Sequence, residues 1–310
     1  MPEVLLLKVD LERRSAQWRD AFAGFDLDVR DWDSPGDPAQ IDYALVWQPE
    51  PGVLARFANL KLIFSIGAGL DHLRGDDVLP PGVAVIRMVE DELTAGMTEY
   101  VLYQTLRFHR CMPQYDDDQR ARIWRERTQV PARERRVGLL GLGVLGEASA
   151  RALAQLDFDV AGWSRGEKHI DRVASYHGAD QLAAFLARSD ILVCLLPLTA
   201  QTEGILNADN LARLPRGAFV INAARGGHCD ESALLDALDR GHLAGAALDV
   251  FAREPLPPDD ALWRHPRVCI TPHIASMTLP ASAARHVVDN IRRLRAGRAL
   301  THVVDFARGY

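Results

Sequence analysis

The chain is poor in cysteine and in long apolar runs, and each shortage argues against a class of protein. Its four cysteines, Cys111, Cys194, Cys229 and Cys269, are scattered over 310 residues with no C-x-x-C pair. That spacing speaks against a disulfide framework or a cysteine-rich metal site and fits a reducing cytoplasm. No apolar run approaches the ~18 residues that a membrane-spanning helix needs. The start, "MPEVLLLKVDLERR", offers neither a basic leader nor an apolar stretch of signal-peptide length. A dominant charge is also missing: 36 Lys and Arg against 42 Asp and Glu leave a net −6, which supplies no global attraction for nucleic acid. The expected setting is cytoplasmic, with no membrane or nucleic-acid partner.

What remains is an ordinary globular composition, 48% hydrophobic and 25% charged, at a length that suggests two domains. Strand-like apolar runs alternate with helical patterns, as parallel sheets with crossover helices require. "VLLLKV", "DYALVW" and "KLIFSI" read as strands of the first part. A helical stretch follows over about 92–110, with Met97, Val101, Leu102 and Leu106 on one face. The polar segment "QYDDDQRARIWRERTQVPARERR" reads as a connection. Beyond it "RVGLL", "DVAGW", "ILVCLL", "AFVIN", "AGAALDV" and "VCIT" make six strands, and a last helix is expected over about 280–296. The tail after that helix is too short to fold alone and is expected to pack on the first domain.

Three glycines, Gly141, Gly143 and Gly146, sit between the strand "RVGLL" and the amphipathic "EASARALAQL". A G-x-G-x-x-G triplet alone is weak, but strand before and helix after is the context that a dinucleotide loop needs. Gly141 permits the tight turn, Gly143 lets the backbone approach a pyrophosphate, and Gly146 lets helix and strand pack closely. Val144 and Leu145 open the helix, whose free N–H groups and positive dipole end suit phosphate. The next strand ends in Trp163, and Ser164 stands where NAD-binding folds carry a carboxylate. Ser164, Arg165 and Lys168 offer a hydroxyl and two cations, a set that suits the 2′-phosphate of NADPH over NADH. A solvated loop would also account for the two cations. The fold class is thus α/β, with two doubly wound parallel-sheet domains. A Rossmann NAD(P)-binding domain over 95–279 is inserted in a flavodoxin-like substrate-binding domain over 1–94 and 280–310, with hinges near Thr94 and Leu279.

A second loop, "FSIGAGLDHL", has His72 where a third glycine would stand. It is a poor dinucleotide loop, yet Gly67, Ala68 and Gly69 could present N–H groups to a small anion. An ordinary turn has equal claim. Three later segments, "VINAARGGHCDESALL", "LDVFAREPLP" and "CITPHIAS", carry Arg225, Asp249, Glu254 and His273 beyond strand ends, where open α/β sheets bind ligands. Each residue alone has a plain structural reading: a helix-end contact, a turn cap, a solvated carboxylate, a core histidine.

Together, "GAGLDHL", "TEYVL", "GLGVLG", "LLPLTAQTEGILN", "INAARGGHCDESALL", "ALDVFAREPLP" and "TPHIAS" follow one another in the order of a known family. Over nearly its whole length the chain resembles the D-isomer-specific 2-hydroxyacid dehydrogenases. "DYALVWQP", "WSRGEK", "ALWRHPRV" and the terminal "ARGY" resemble the glyoxylate and hydroxypyruvate reductase branch. Thr98 departs from the alanine that many members carry before the equivalent of Glu99.

The resemblance implies that Arg225 binds the substrate carboxylate, that His273 is the general acid, and that Glu254 holds its imidazole and favours the charged form. It also implies that the Ala68 and Gly69 amides complete the carboxylate site, with Trp47 restricting substrate size. Asp249 would orient the nicotinamide carboxamide, and Leu196, Pro197, Thr202 and Ala223 would line the cofactor channel. The partners implied are a small 2-oxoacid and a second copy of the chain in a homodimer, held through the helix 92–110 and an arm containing Trp124. No metal is implied. Two alternatives stay open: a lactate- or phosphoglycerate-type dehydrogenase, and a cofactor-gated corepressor of the same fold, against which the compact length weighs.

Overall fold

The computed structural model describes residues 2–9, 15–70, 73 and 79–306. His72 and the terminal "ARGY" of the sequence reading lie outside the described residues. The chain separates into two compact units, Met1–Leu93 with Thr278–Tyr310, and Thr94–Met277. It therefore passes from one unit to the other twice.

In the first unit, β1 (Glu3–Lys8), β2 (Leu27–Asp31), β3 (Ile41–Val46), β4 (Leu62–Ser65) and β5 (Ala84–Ile86) form one parallel sheet in the order β2-β1-β3-β4-β5. This is the flavodoxin winding. The central strands β1, β3 and β4 are nearly continuous apolar runs, because both of their faces are covered. The sequence reading missed β2 and β5. Nothing in β2 is fully buried and β5 spans three residues, so neither shows a strand pattern. Helices α1 (Ser15–Ala21) and α8 (Pro280–Arg295) cover one face, where Trp18, Phe22, Ala284, Val287 and Ile291 meet Leu5, Tyr43 and Phe64. Each large side chain buried there contributes about 1.5–3 kcal/mol. The tail returns to this unit: Val303 bridges Ile86, and Val304 N–H donates to Val85 O at 2.8 Å.

Helix α2 (Asp91–His109) spans the first crossing, and Glu90 caps it by accepting from the Glu92 and Leu93 amides. Met97, Tyr100, Val101 and Phe108 of α2 enter the second unit's core, with Leu102 packed partly against it. Leu106, expected on that face, is exposed. It stands nine positions after Met97, which is half a revolution away on a 3.6-residue helix. Helix α3 (Met112–Ala121) occupies the segment read as a connection; only Asp118 is buried in it, so no apolar stripe announces it.

The second unit then runs β6 (Arg136–Leu140), α4 (Val144–Gln155), β7 (Asp159–Ser164), β8 (Val173–His177), α5 (Gly178–Ala187), β9 (Ile191–Cys194), α6 (Ala208–Arg213), β10 (Ala218–Asn222), α7 (Glu231–Asp239), β11 (Leu243–Leu248) and β12 (Val268–Ile270). Its parallel sheet has the order β12-β11-β10-β9-β6-β7-β8, with the reversal between β6 and β9. Seven strands replace the expected six. The addition is β8, an edge strand in which only Val173 is buried. Among the described residues, no helix is long and apolar enough to cross a membrane.

Candidate active site

The loop from β6 to α4 lies at the reversal of strand order, where open α/β sheets leave a crevice. Gly141 has φ +102°, a conformation that L side chains rarely adopt, and its N–H donates to Trp163 O at 2.9 Å. A Cβ on Gly141 would stand 2.9 Å from Leu195 O, and one on Gly146 only 1.9 Å from Gly141 O. At Gly143 nothing comes within 4 Å. Two glycines therefore permit contact inside the protein, and the third faces open space. Gly143 is also the N-cap of α4 and makes no side-chain cap, so no capping side chain covers the first-turn amides. Val144 is exposed there, and Leu145 packs partly into the core.

At the end of β7, Ser164 Oγ donates to Gly166 O at 2.7 Å, which shapes the turn and leaves the oxygen able to accept. Arg165 and Lys168 are exposed, and the Lys168 amide is fixed by Ser175 Oγ at 3.0 Å. No carboxylate stands at the strand's last position.

Beyond β9, Leu196 is buried and its backbone passes Gly141, whose Cβ would meet Leu196 N at 3.1 Å. The Thr202 hydroxyl closes the loop by donating to Pro197 O at 2.6 Å while accepting from the Thr199 amide at 2.8 Å. Its observed work is to shape the backbone. The same loop is joined to the one after β10 through Gly204 N–H to Gly227 O and Leu206 N–H to His228 O.

Ala223 is buried beside Cys194, its amide donating to Cys194 O at 3.3 Å. Arg225 follows, half-buried, with Nη1 donating to Ala224 O at 2.7 Å. Its carbonyl is held from three sides, by Asn222 Nδ2 and by the amide and Nδ1 of the fully buried His228. Since the carbonyl only accepts, Nδ1 of His228 carries the hydrogen. Gly226 lets this turn touch the loop after β11, because a Cβ would lie 1.9 Å from Phe251 C. Asn222 and His228 had escaped the sequence reading. Their only mark was their place beside Arg225.

Asp249, just after β11, is 1% exposed. Its Oδ1 accepts from Thr271 Oγ1 at 2.6 Å and Ile274 N at 2.9 Å, and its Oδ2 from Ala275 N at 2.8 Å. Its backbone carbonyl accepts from His273 N at 2.8 Å. The residue read as a nicotinamide contact thus also organises the whole 271–275 loop. His273 is held there at φ +54°, a left-handed state that costs a non-glycine residue about 1–3 kcal/mol. From it the ring reaches Glu254, with Nδ1 2.7 Å from Oε2. Glu254 Oε1 accepts from the Phe251 amide at 3.0 Å, which fixes the carboxylate plane. Burial works to raise the Glu254 carboxyl. Hydrogen bonds from His273 and Phe251, with the charges of His273 and Arg225, outweigh it and hold the group below its ordinary value. With Nδ1–H committed to Glu254, Nε2 is the ring atom left to move a proton.

Arg225, Glu254 and His273 are thus brought together at the carboxyl ends of β10, β11 and β12. Among the described residues there is no cluster of three or more His, Cys, Asp or Glu side chains suited to a metal ion. Thr98, the unusual residue of α2, turns its hydroxyl back to Thr94 O at 2.9 Å.

The first unit's loop has its own order. Ser65 Oγ donates to Gly67 O at 3.0 Å, and Met88 N–H reaches the same carbonyl at 3.3 Å. In a trans peptide the following N–H points the opposite way, so the Ala68 amide turns away from Ser65. Gly69 continues the loop. The Trp47 ring lies against it: a Cβ on Gly67 would stand 2.8 Å from Trp47 Cζ3.

Comparison with known proteins accords with this geometry. The profile of "D-isomer specific 2-hydroxyacid dehydrogenase, NAD binding domain" matches residues 102–275. The glyoxylate/hydroxypyruvate reductase A of Yersinia enterocolitica is 43% identical over 287 residues, which is 91% of each chain. A D-isomer specific 2-hydroxyacid dehydrogenase of Xanthobacter autotrophicus, solved with NADPH and MES, superposes with a TM-score of 0.93 at 44% identity, with both chains fully covered. An NADPH-dependent glyoxylate/hydroxypyruvate reductase of Sinorhizobium meliloti, solved with NADP and sulfate, gives 0.93 at 40%, covering 99% of this chain and 100% of its own. The chain belongs to the D-isomer specific 2-hydroxyacid dehydrogenase family, as an NAD(P)-dependent oxidoreductase homologous to glyoxylate/hydroxypyruvate reductase A.

Proposed function

We propose that the protein reduces a small 2-oxoacid, of the glyoxylate or hydroxypyruvate kind, to its 2-hydroxyacid with NADPH in the cytoplasm. The observation that carries this reading is the grouping of Arg225 and the Glu254–His273 pair in the same sheet as the open glycine loop. The cofactor fits the residues present. Gly143 leaves space at an N-terminus without a side-chain cap, and the β7 end carries Ser164, Arg165 and Lys168 in place of a carboxylate. Leu196, Pro197, Ala223 and the Thr202-closed loop would wall the channel, and the remaining acceptor capacity of Asp249 would take a carboxamide N–H. When bound, NADPH supplies the hydride.

The chain's own residues supply the rest. Arg225 offers a planar fork of donors to the substrate carboxylate and polarises the adjacent carbonyl. His273 would donate the Nε2 proton to the carbonyl oxygen as the carbonyl carbon takes up the hydride, so that C=O becomes CH–OH and the ring is left neutral. Glu254 accepts from Nδ1 throughout and stabilises the cation before transfer. By the family resemblance, the Ala68 and Gly69 amides of the first unit would take a carboxylate, and Trp47 would restrict substrate size.

A homodimer is part of the proposal. Trp124 is 97% exposed, and Tyr103, Leu106, Met112 and Ile123 leave further apolar surface on α2, α3 and the following arm. Arg127, bound to Asp118 and to Tyr115 OH, pins that arm. Aromatic anchors of this kind are enriched in interfaces. A monomer by light scattering at micromolar concentration would remove this part.

Initial rates with glyoxylate, hydroxypyruvate and bulkier or phosphorylated 2-oxoacids, each with NADPH and NADH, test the reading. NADPH is expected to be preferred. Arg165→Ala should weaken NADPH roughly tenfold, up to a hundredfold at the limit for a charged contact, and spare NADH. Preference for NADH, equal losses for both cofactors, or faster turnover of a bulky 2-oxoacid would each overturn the corresponding part.

A further inference from the structure

Tyr100 of α2 is buried, yet its hydroxyl is not idle. It lies 2.9 Å from Thr271 Oγ1, whose proton is itself directed 2.6 Å away to Asp249 Oδ1. A carboxylate only accepts, so the single Thr271 hydroxyl proton goes to Asp249. The Thr271 oxygen is then left to accept, and Tyr100 O–H is the donor. The direction of the chain is fixed: Tyr100 to Thr271 to Asp249.

Asp249 is where this chain meets the catalytic loop. Its carboxylate also holds the Ile274 and Ala275 amides, and its carbonyl holds the His273 amide. These are the bonds on either side of a histidine held at φ +54°. Helix α2 backs the same loop a turn earlier, where a Cβ on Gly96 would lie 3.2 Å from Ser276 Oγ. Burial raises the Tyr100 phenol above its ordinary value, with the Asp249 charge adding to the shift, so the hydroxyl remains a donor across the working range.

The geometry points to Tyr100 as a positioning residue for the general acid: through Thr271 and Asp249 it holds His273 in the left-handed conformation from which Nδ1 reaches Glu254. The inference rests on the proposed reduction, in which His273 is the proton donor. It adds a residue of α2 that touches none of the reacting atoms. Loss of the phenolic O–H would let the Thr271 hydroxyl turn and loosen one of the three bonds on Asp249. The imidazole would then sample orientations from which proton transfer is slower.

Tyr100→Phe keeps the buried ring and removes only the O–H. It should lower kcat for 2-oxoacid reduction roughly three- to tenfold, with KM and NADPH affinity within about twofold. The solvent deuterium isotope effect on kcat should rise, because proton transfer limits more of the rate. Thr271→Val should reproduce the loss, Thr271→Ser should restore most of it, and the double variant should be no slower than the slower single. The ring 15N shifts of His273, read through its carbon-bound protons and assigned with His273→Gln, should move in Tyr100→Phe. Unchanged kcat, isotope effect and ring shifts would overturn the inference, as would losses that multiply in the double variant. If the wild type reduces no 2-oxoacid, the proposed function fails by itself. The ring shifts then decide on Tyr100: moved shifts support the positioning contact and unmoved ones refute it.

Discussion

The β6–α4 loop and the cluster beyond β10, β11 and β12 occupy the same end of one sheet but are built by opposite means. The glycine loop works through side chains it does not have. A Cβ at Gly141 or Gly146 would stand 2.9 or 1.9 Å from a backbone oxygen, too close to be tolerated, and Gly143 stands open. The candidate catalytic cluster is set up by buried side chains that hold its backbone: Asn222 and His228 on the Arg225 carbonyl, and Asp249 on three donors of the 271–275 loop. Backbone recognition of phosphate needs space and free amides. Placing a proton donor needs a rigid, over-determined ring. One chemistry is written as absence, the other as crowding.

The strongest way to separate the two regions is to remove the proposed proton donor alone. His273→Gln should lower kcat roughly 10²- to 10⁴-fold, the contribution expected of a positioned general acid. NADPH affinity, measured by nucleotide fluorescence, should change by no more than about twofold, because uniform cofactor binding does not use the imidazole. A parallel loss of NADPH binding would mean that the two regions form a single site and that the contrast is false.

That contrast also explains what could be read in the sequence. The glycine loop was legible because its residues lie within six positions and between a strand and a helix. Arg225, Glu254 and His273 stood out by residue type and by their place after strands, and the resemblance joined them. What stayed hidden was the support. The Asp249 contacts reach across 25 and 26 positions to Ile274 and Ala275, and Tyr100 meets Thr271 across 171. No local pattern encodes such pairs. Edge strands β2 and β8 were hidden for a different reason: with no fully buried residue in β2 and only Val173 buried in β8, they lack the apolar run that identifies β6 or β9.

Within the glycine loop, two alanine substitutions sharpen the comparison at smaller amplitude. Gly146→Ala puts a methyl into the Gly141 carbonyl, and overpacking of this kind costs about 1–3 kcal/mol. It should lower Tm by several degrees with or without cofactor. Gly143→Ala meets no protein atom, and the exchange of a glycine for an alanine N-cap costs only about 0.5–1 kcal/mol, so Tm without cofactor should fall by no more than about 1–3 °C, less than in Gly146→Ala. Its methyl would stand where the pyrophosphate approaches, and NADPH affinity should fall roughly tenfold. Equal Tm losses in the two variants would show that Gly143 is a packing glycine like its neighbour.

The smallest effect concerns the Glu254 carboxyl. In the folded state it is held below the ordinary value of 4.5, with burial opposing and the hydrogen bonds from His273 and Phe251 prevailing. A depressed carboxyl contributes stability that is fully present above the unfolded value and is lost as pH falls through the folded one. The window therefore lies at and below about pH 4.5, on the acid side. Glu254→Gln keeps the shape and removes the charge, so its Tm should lie below wild type at neutral pH and converge with it as the wild-type carboxyl takes up a proton. Glu254 and His273 side chains are 35% and 34% exposed, so water screens the pair. The neutral-pH difference should be only about 1–3 °C. Thermal melts of both proteins from pH 7 down to pH 3 measure it directly. Curves that run parallel over the whole range would mean that the Gln variant loses packing and not charge, and that Glu254 holds His273 by position alone. A gap that widens toward acid would have the wrong sign for a depressed carboxyl and would place the ion pair elsewhere.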